Sequence, residues 1–368
     1  MKKISLILLT LMLFTGCGQV AEEVTGQESH PHEEGVSADH GHADEAAGDS
    51  HEDMSLAEHA QNLAQFAIGP NGEYETNDFD ALEFLTTWNF NNLAEDERAK
   101  FYKETALDDG TLLREYWFNV EEVTIEVAPG VYYPAWSYNG QVPGPTIRAT
   151  EGDTIKIHFK NNASKPHTVH FHGYHSSSQD GTGGEEEDKI MLPGESRDYE
   201  FKAEPFGSHV YHCHSYPVSQ HIAKGLYGAY IVDPKVDTRP KADKEFVMVM
   251  NGFDTDFDGA NDFYAVNTRA FAYNYQPIHV KKGELVRIQL SNMLEFDPIN
   301  SFHLHANFFD EYPTGTKLDP ENFTDTITMG QGERSILDIR FREEGMYMFH
   351  SHVSELAELG WTGMFMVE

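Results

Sequence analysis

From Tyr116 onward, this chain of 368 residues carries four His-x-His pairs: His170-Phe171-His172, His212-Cys213-His214, His303-Leu304-His305 and His350-Ser351-His352. Imidazole nitrogens bind first-row transition metals, and residues i and i+2 of a strand point to one face. Each pair therefore presents two ligands toward one point. Each half of that span carries two pairs, the second of them after a glycine, Gly207 or Gly345. A single copper or zinc takes three or four ligands, so eight imidazoles suit a cluster of several metals.

A second ligand set surrounds Cys213. His167 lies three residues before His170, and His221 follows Cys213 by eight. One thiolate with two imidazoles is the ligand set of a blue copper electron-transfer site. The weak axial Met of such a site belongs five residues after the second His, where this chain has Leu226. Losing the thioether should raise the reduction potential. Cys213 sits between His212 and His214, which gives an electron a short covalent route into a cluster. The second half has Asn300 in place of His167 and Ser351 in place of Cys213, and no His beyond its last pair. It should supply cluster ligands only.

The elements that must hold these side chains read as strands. From Tyr116 onward short alternating runs, such as Val123 to Val127, Thr154 to Phe159 and Val286 to Leu290, are separated by Gly, Pro, Asn and Asp. This predicts antiparallel β-sandwiches. Glu151-Gly152-Asp153-Thr154-Ile155-Lys156-Ile157 is echoed by Lys282-Gly283-Glu284-Leu285-Val286-Arg287-Ile288, so one sandwich is repeated, over 115–237 and 244–368.

Residues 1–16 read as a signal segment: Lys2 and Lys3 precede an apolar run from Ile4 to Phe14, too short to span a bilayer. Phe14-Thr15-Gly16-Cys17 resembles a bacterial lipobox, which implies cleavage before Cys17 and a lipid on its sulfur. The protein is then expected to be exported and lipid-anchored in the bacterial cell envelope. Residues 17–54 form an acidic, His-rich disordered tether. Residues 17–60 hold 12 acidic side chains, no Lys or Arg, and His30, His32, His40, His42, His51 and His59, which suit transient metal capture or a plain solvated spacer. Residues 55–114 read as a helical extension without chemistry, with helices expected from Ser55, from Asp78 and over 94–107.

The charge balance narrows the partners. With 26 basic and 61 acidic residues the net charge is −35, which repels nucleic acid and disfavours anionic membrane surfaces. Membrane contact is left to the lipid on Cys17.

Tyr138-Asn139-Gly140-Gln141-Val142-Pro143-Gly144-Pro145-Thr146-Ile147-Arg148, together with His170-Phe171-His172-Gly173 and His212-Cys213-His214, resembles the multicopper oxidase family over residues 116–368, and specifically its two-domain laccase branch. The resemblance implies an all-β fold of two cupredoxin-like Greek-key sandwiches, assembled as a homotrimer with a trinuclear copper cluster at each subunit interface. It implies four coppers per chain. His167, Cys213 and His221 would hold type 1 copper, and His170 and His303 type 2. His172, His212, His214, His305, His350 and His352 would hold the type 3 pair. An acid after the His-x-His-Gly motif would deliver protons, here Asp180, with Glu355 and Glu358 as further acids near the last pair. The implied reaction is one-electron oxidation of phenols, aromatic amines or metal ions, coupled to reduction of O2 to water. The long Cys213–His221 loop, ending Gly225-Leu226, is also similar to copper nitrite reductases, though these carry Asp where His170 stands. A non-catalytic exported copper-binding protein is the third reading, resting on the tether.

Overall fold

The computed structural model describes residues 99–184 and 188–368. The chain divides into two units, Met1–Glu52 and Asp53–Glu368, and every described residue belongs to the second. The signal segment, Cys17, the tether and the helices expected from Ser55 and Asp78 lie outside the described residues. No described helix is long and apolar enough to cross a membrane.

Among the described residues the first sandwich contains β1 (Tyr102–Ala106), β2 (Leu112–Ala128), β3 (Val131–Tyr138), β4 (Gly144–Thr150), β5 (Thr154–Asn161), β6 (His170–Phe171), β7 (Ser196–Lys202), β8 (Gly207–His212), α1 (Val218–Ala223) and β9 (Tyr227–Asp233). The second contains β10 (Lys244–Phe253), β11 (Phe263–Val266), α2 (Ala272–Tyr275), β12 (Ile278–Val280), β13 (Leu285–Asn292), β14 (Ile299–Leu304), β15 (Phe309–Pro313), β16 (Asn322–Thr324), β17 (Thr326–Gly330), β18 (Arg334–Arg340), β19 (Gly345–His350), α3 (Ser354–Glu358) and β20 (Thr362–Val367). The fold is all-β, with two cupredoxin-like sandwiches in tandem. The sheets run β1-β2-β5-β7, with β3 on β2, and β4-β9-β8-β6 in the first. In the second they run β11-β10-β13-β18-β15-β16 and β12-β20-β19-β14-β17.

Two expectations need correction. The helix over 94–107 ends at Phe101, and Tyr102–Ala106 pairs as an edge strand with β2, so the first sandwich begins inside the span read as a helical extension. Tyr102 is buried there and its ring packs on Tyr116 at 4.9 Å, a contact that alternation along the chain cannot show. The sheets are also mixed. β2 pairs with β5, β4 with β9, β10 with β13 and β12 with β20 in parallel, because the early strands of each sandwich return beside later ones through crossovers.

Alternation sets the inner faces: in β5, Ile155, Ile157 and Phe159 point into the first core while Lys156, His158 and Lys160 point out. β8 and β13 break this pattern, buried along their whole length, because the sandwiches pack against one another there. A shared apolar cluster, including Tyr133, Val210, Tyr227, Val249, Phe253 and Met293, joins the two. Arg148 adds a polar clamp, with Nε 2.7 Å from Asp233 and Nη1 2.8 Å from Glu245.

Candidate metal centre

His167 is fixed by reciprocal backbone hydrogen bonds of 3.0 Å with Met191, Cys213 follows the last residue of β8, and His221 lies on α1. The fold brings the three together. Cys213 Sγ lies 3.1 Å from His221 Nδ1 and 3.9 Å from His167 Nδ1, and the two Nδ1 atoms are 3.1 Å apart. All three residues are buried. Burial, with the neighbouring His221 adding to it, pushes the His167 pKa down to about 3, and burial pushes that of His221 down to about 4. Both rings are thus neutral lone-pair donors. Burial pushes the Cys213 thiol up, against hydrogen bonds from Thr168 and Ser215. Two neutral nitrogens and a sulfur aimed at one buried point fit a soft, N- and S-preferring metal, and this donor set is that of blue copper. Leu226 is fully buried beside them, and its carbonyl accepts the Cys213 N–H at 2.9 Å.

The backbone around the same place in the second sandwich is matched bond for bond. Leu226 N–H donates to His221 carbonyl at 3.2 Å. In parallel, Ser351 N–H donates to Trp361 carbonyl at 3.2 Å, and Trp361 N–H to Leu356 carbonyl at 2.8 Å. Leu356 therefore stands where His221 does, and the fully buried Trp361 where Leu226 does. The sequence shows the loss of His and Cys. That a buried Trp361 takes the position of Leu226 is visible only through these hydrogen bonds.

Eight imidazoles form two matched groups. His170 pairs with His212 across β6 and β8, and His303 with His350 across β14 and β19. Each His-x-His pair straddles a strand end, its first member in the ladder and its second beyond it. In the first sandwich His172 Nε2 and His212 Nε2 are 3.3 Å apart, and the His170 ring lies 5.3, 5.1 and 5.5 Å from those of His172, His212 and His214. In the second, His305 Nε2 and His350 Nε2 are 2.8 Å apart, with His303 at 4.9, 5.3 and 5.1 Å from His305, His350 and His352.

Backbone carbonyls orient these rings. The Nδ1–H of His170 donates to Asp180 carbonyl at 2.8 Å, that of His212 to Cys213 at 3.0 Å, that of His303 to Asp325 at 3.1 Å, and that of His350 to Ser351. Each bond fixes the tautomer and leaves Nε2 as the free donor, the arrangement that metal-binding histidines need. Burial first, then neighbouring imidazoles, takes the His172 pKa down to about 3. Burial takes His212 down to about 4 against its bond to Cys213. Among the described residues each group draws on one sandwich only.

Asp180 reaches this constellation, with Oδ1 3.0 Å from His170 Nδ1 and 3.6 Å from His175 Nε2. Glu355 and Glu358 sit exposed on α3 and enter none of the metal-ligating groups. Sequence reading missed what holds Asp180. Asp188 is fully buried and accepts from Gly181, Thr182 and Gly183 N–H at 2.9, 2.8 and 3.0 Å. It also pairs with Arg197 at 2.7 Å. Gly181 (φ +73°) is required here, since a Cβ would come within 2.0 Å of Val169 carbonyl oxygen. The signal was available: an acid closing the Gly-rich run Gly181-Thr182-Gly183-Gly184 suits a nest of backbone donors.

Against the opposing pull of burial, those three N–H groups and Arg197 hold the Asp188 carboxyl below its usual range. Its stabilisation is complete above the unfolded value of about 4 and fades as pH falls through the lower native value. Asp188→Ala takes the buried carboxylate away from Arg197, which keeps the Ser178 carbonyl and the Tyr199 ring, and should cost about 3–5 kcal/mol at neutral pH. Denaturant midpoints measured from pH 3 to 7 should show the wild-type advantage shrinking at the acid end; an advantage constant over that range would refute this role.

Profiles described as multicopper oxidase match residues 119–237 and 237–368. A solved multicopper oxidase is 53% identical, with a TM-score of 0.71 over 72% of this chain and 93% of its own. The chain belongs to the multicopper oxidase family. It is also related to copper nitrite reductases. A copper-containing nitrite reductase of Neisseria meningitidis is 34% identical over 251 residues, 63% of this chain and 63% of that protein. The solved copper nitrite reductase from Nitrosomonas europaea is 29% identical, with a TM-score of 0.62 over 70% of this chain and 94% of its own. Members of both groups bind copper, and this multicopper oxidase presents two kinds of donor set that fit it.

Proposed function

We propose that this multicopper oxidase is laccase-like: it takes single electrons from phenolic, aromatic amine or low-valent metal-ion donors and reduces O2 by four electrons to water. His167, Cys213 and His221 would hold type 1 copper, His170 and His303 type 2, and the other six imidazoles the type 3 pair. The four coppers would supply one-electron storage and dioxygen chemistry. Cys213 conducts: its sulfur faces the first centre, its neighbours are His212 and His214, and its carbonyl accepts from His212 Nδ1. Asp180 holds a proton acceptor beside His170.

The observation that carries this reading is His170. At the place where nitrite reductases carry Asp, its ring packs against those of His172, His212 and His214, so the first sandwich offers four imidazoles. Nitrite reduction is the second reading, favoured by the identity to the Neisseria enzyme. Copper content and acceptor separate them. Four coppers per chain with oxygen uptake on a phenol is the expected result; two coppers with nitric oxide formed from nitrite would overturn it.

The cluster is completed between copies in a homotrimer. Each imidazole group belongs to one sandwich, and His305 and His352 are exposed. Large exposed apolar side chains adjoin both groups in sequence, Tyr174 and Tyr216 beside the first and Phe308 and Val353 beside the second, as a surface covered by another chain would have. The same proposal places the protein outside the cytoplasm, held at the cell envelope by a lipid on Cys17.

Asp180→Asn should lower turnover about 100-fold while copper content and thiolate absorption stay unchanged. Oxygen uptake and metal analysis on one sample check this, and undiminished turnover would leave Asp180 with a loop-positioning role only.

A further inference from the structure

We propose that Trp136 is the port through which electrons reach the His167–Cys213–His221 centre, and that Glu122 beside it favours neutral and cationic donors. The proposal rests on the copper reading of that centre. His167, Cys213 and His221 are 0%, 0% and 3% exposed, so a donor cannot touch them directly. The indole of Trp136 meets both imidazoles edge to face, with centroids 5.1 Å from His167 and 4.8 Å from His221. Trp136 is itself partly exposed. One π-system thus joins solvent to both nitrogen ligands.

The indole is held where it is by its own backbone. Trp136 N–H donates to Lys224 carbonyl at 2.8 Å, at the end of the α1 helix that carries His221. Gly225 (φ +109°) lets the chain pass close by, since a Cβ there would come within 3.0 Å of the Trp136 carbonyl oxygen and 2.6 Å of Val142. A shift of β3 would therefore move the ligand loop with it.

The surface around the indole suits a particular donor. Glu122 stands directly opposite Trp136 in the antiparallel β2–β3 register, which puts both side chains on one face. It is exposed, and the hydroxyl and N–H of Ser164 hold its carboxyl below the usual range, so it is anionic at neutral pH. Tyr132, 59% exposed, lies on the same face four residues before Trp136. A donor ring can stack on the exposed part of the indole, and a positive charge on the donor meets a carboxylate. In the step itself one electron would leave the donor and cross the indole to the copper that His167, Cys213 and His221 would hold, which supplies the one-electron acceptor. A phenolic donor releases its proton to water, and Trp136 ends unchanged.

Anaerobic stopped-flow mixing of the copper-loaded protein tests this, following the bleaching of the thiolate-to-copper absorption. The donors are 2,6-dimethoxyphenol (neutral), hexaammineruthenium(II) (cationic) and ferrocyanide (anionic). Trp136→Leu should keep the absorption and lose about tenfold in reduction rate with all three, and Trp136→Phe should lose less. Glu122→Gln should slow the cationic donor and speed the anionic one, with the difference shrinking as salt is added. In metal-free protein, Hg(II), a soft ion that binds the thiolate, should quench part of the tryptophan emission in wild type and not in Trp136→Leu. An unchanged reduction rate in Trp136→Leu with its absorption intact would overturn the proposal. So would loss of the absorption in both Trp136 variants, because the indole would then only be holding the ligands. No acceptor is present during mixing, so the outcome is independent of whether O2 or nitrite finally takes the electrons.

Discussion

Cys213→Ser is expected to abolish the thiolate-to-copper absorption and to lower oxygen uptake by about 10³-fold or more, at least ~4 kcal/mol of activation. The copper held by the eight imidazoles should remain. A serine hydroxyl does not ionise in the range where a thiolate forms, so the first centre would lose the side chain proposed to bind copper and carry its electrons. The fold should tolerate the change at a cost of about 1–2 kcal/mol for the altered buried group. The second sandwich shows why: Ser351 occupies the equivalent position, fully buried, with its hydroxyl 3.3 Å from that of Ser301. Absorption spectra, metal analysis and oxygen uptake on the same preparation decide the matter. A variant that oxidises a phenol at the wild-type rate would refute the assignment of Cys213.

The second large effect concerns where a cluster is assembled. His172→Ala and His305→Ala should each be inactive as a pure protein, because each removes one of two Nε2 atoms that face each other at 3.3 or 2.8 Å. Co-expressed in equal amounts with distinguishable tags, the two variants should recover about a quarter of wild-type oxygen uptake. An intact cluster needs the first sandwich of a His305→Ala chain facing the second sandwich of a His172→Ala chain, and random assembly meets each condition half the time. A cluster built within one chain would give no recovery.

Much of this was legible in the residue order. Local spacing carries it: His-x-His pairs, the His167 and His221 offsets from them, and the absence of His and Cys at Asn300 and Ser351. The repeated strand–glycine–imidazole pattern showed two copies of one sandwich, because a hydrophobic period of two is a property of neighbouring residues. The strand of Tyr102–Ala106 was not legible, because its hold on the sheet comes from pairing with β2 and packing on Tyr116. Nor were the crossovers that make the sheets mixed.

At the candidate metal centres the residue order specifies which donor-type side chains are on offer, how many there are, and that only one half carries a thiol. The fold set the rest. It aimed the Nδ1 atoms of His167 and His221 at the sulfur while turning the Nε2 atoms of His172 and His212 toward each other. It put Asp188 beneath the loop of Asp180, Trp361 at the second sandwich's counterpart of Leu226, and Trp136 across both imidazoles of the first. The reason is physical. A ligand's identity is set by its own chemistry, whereas its tautomer, direction and access to solvent are set by carbonyls and rings that arrive from distant parts of the chain.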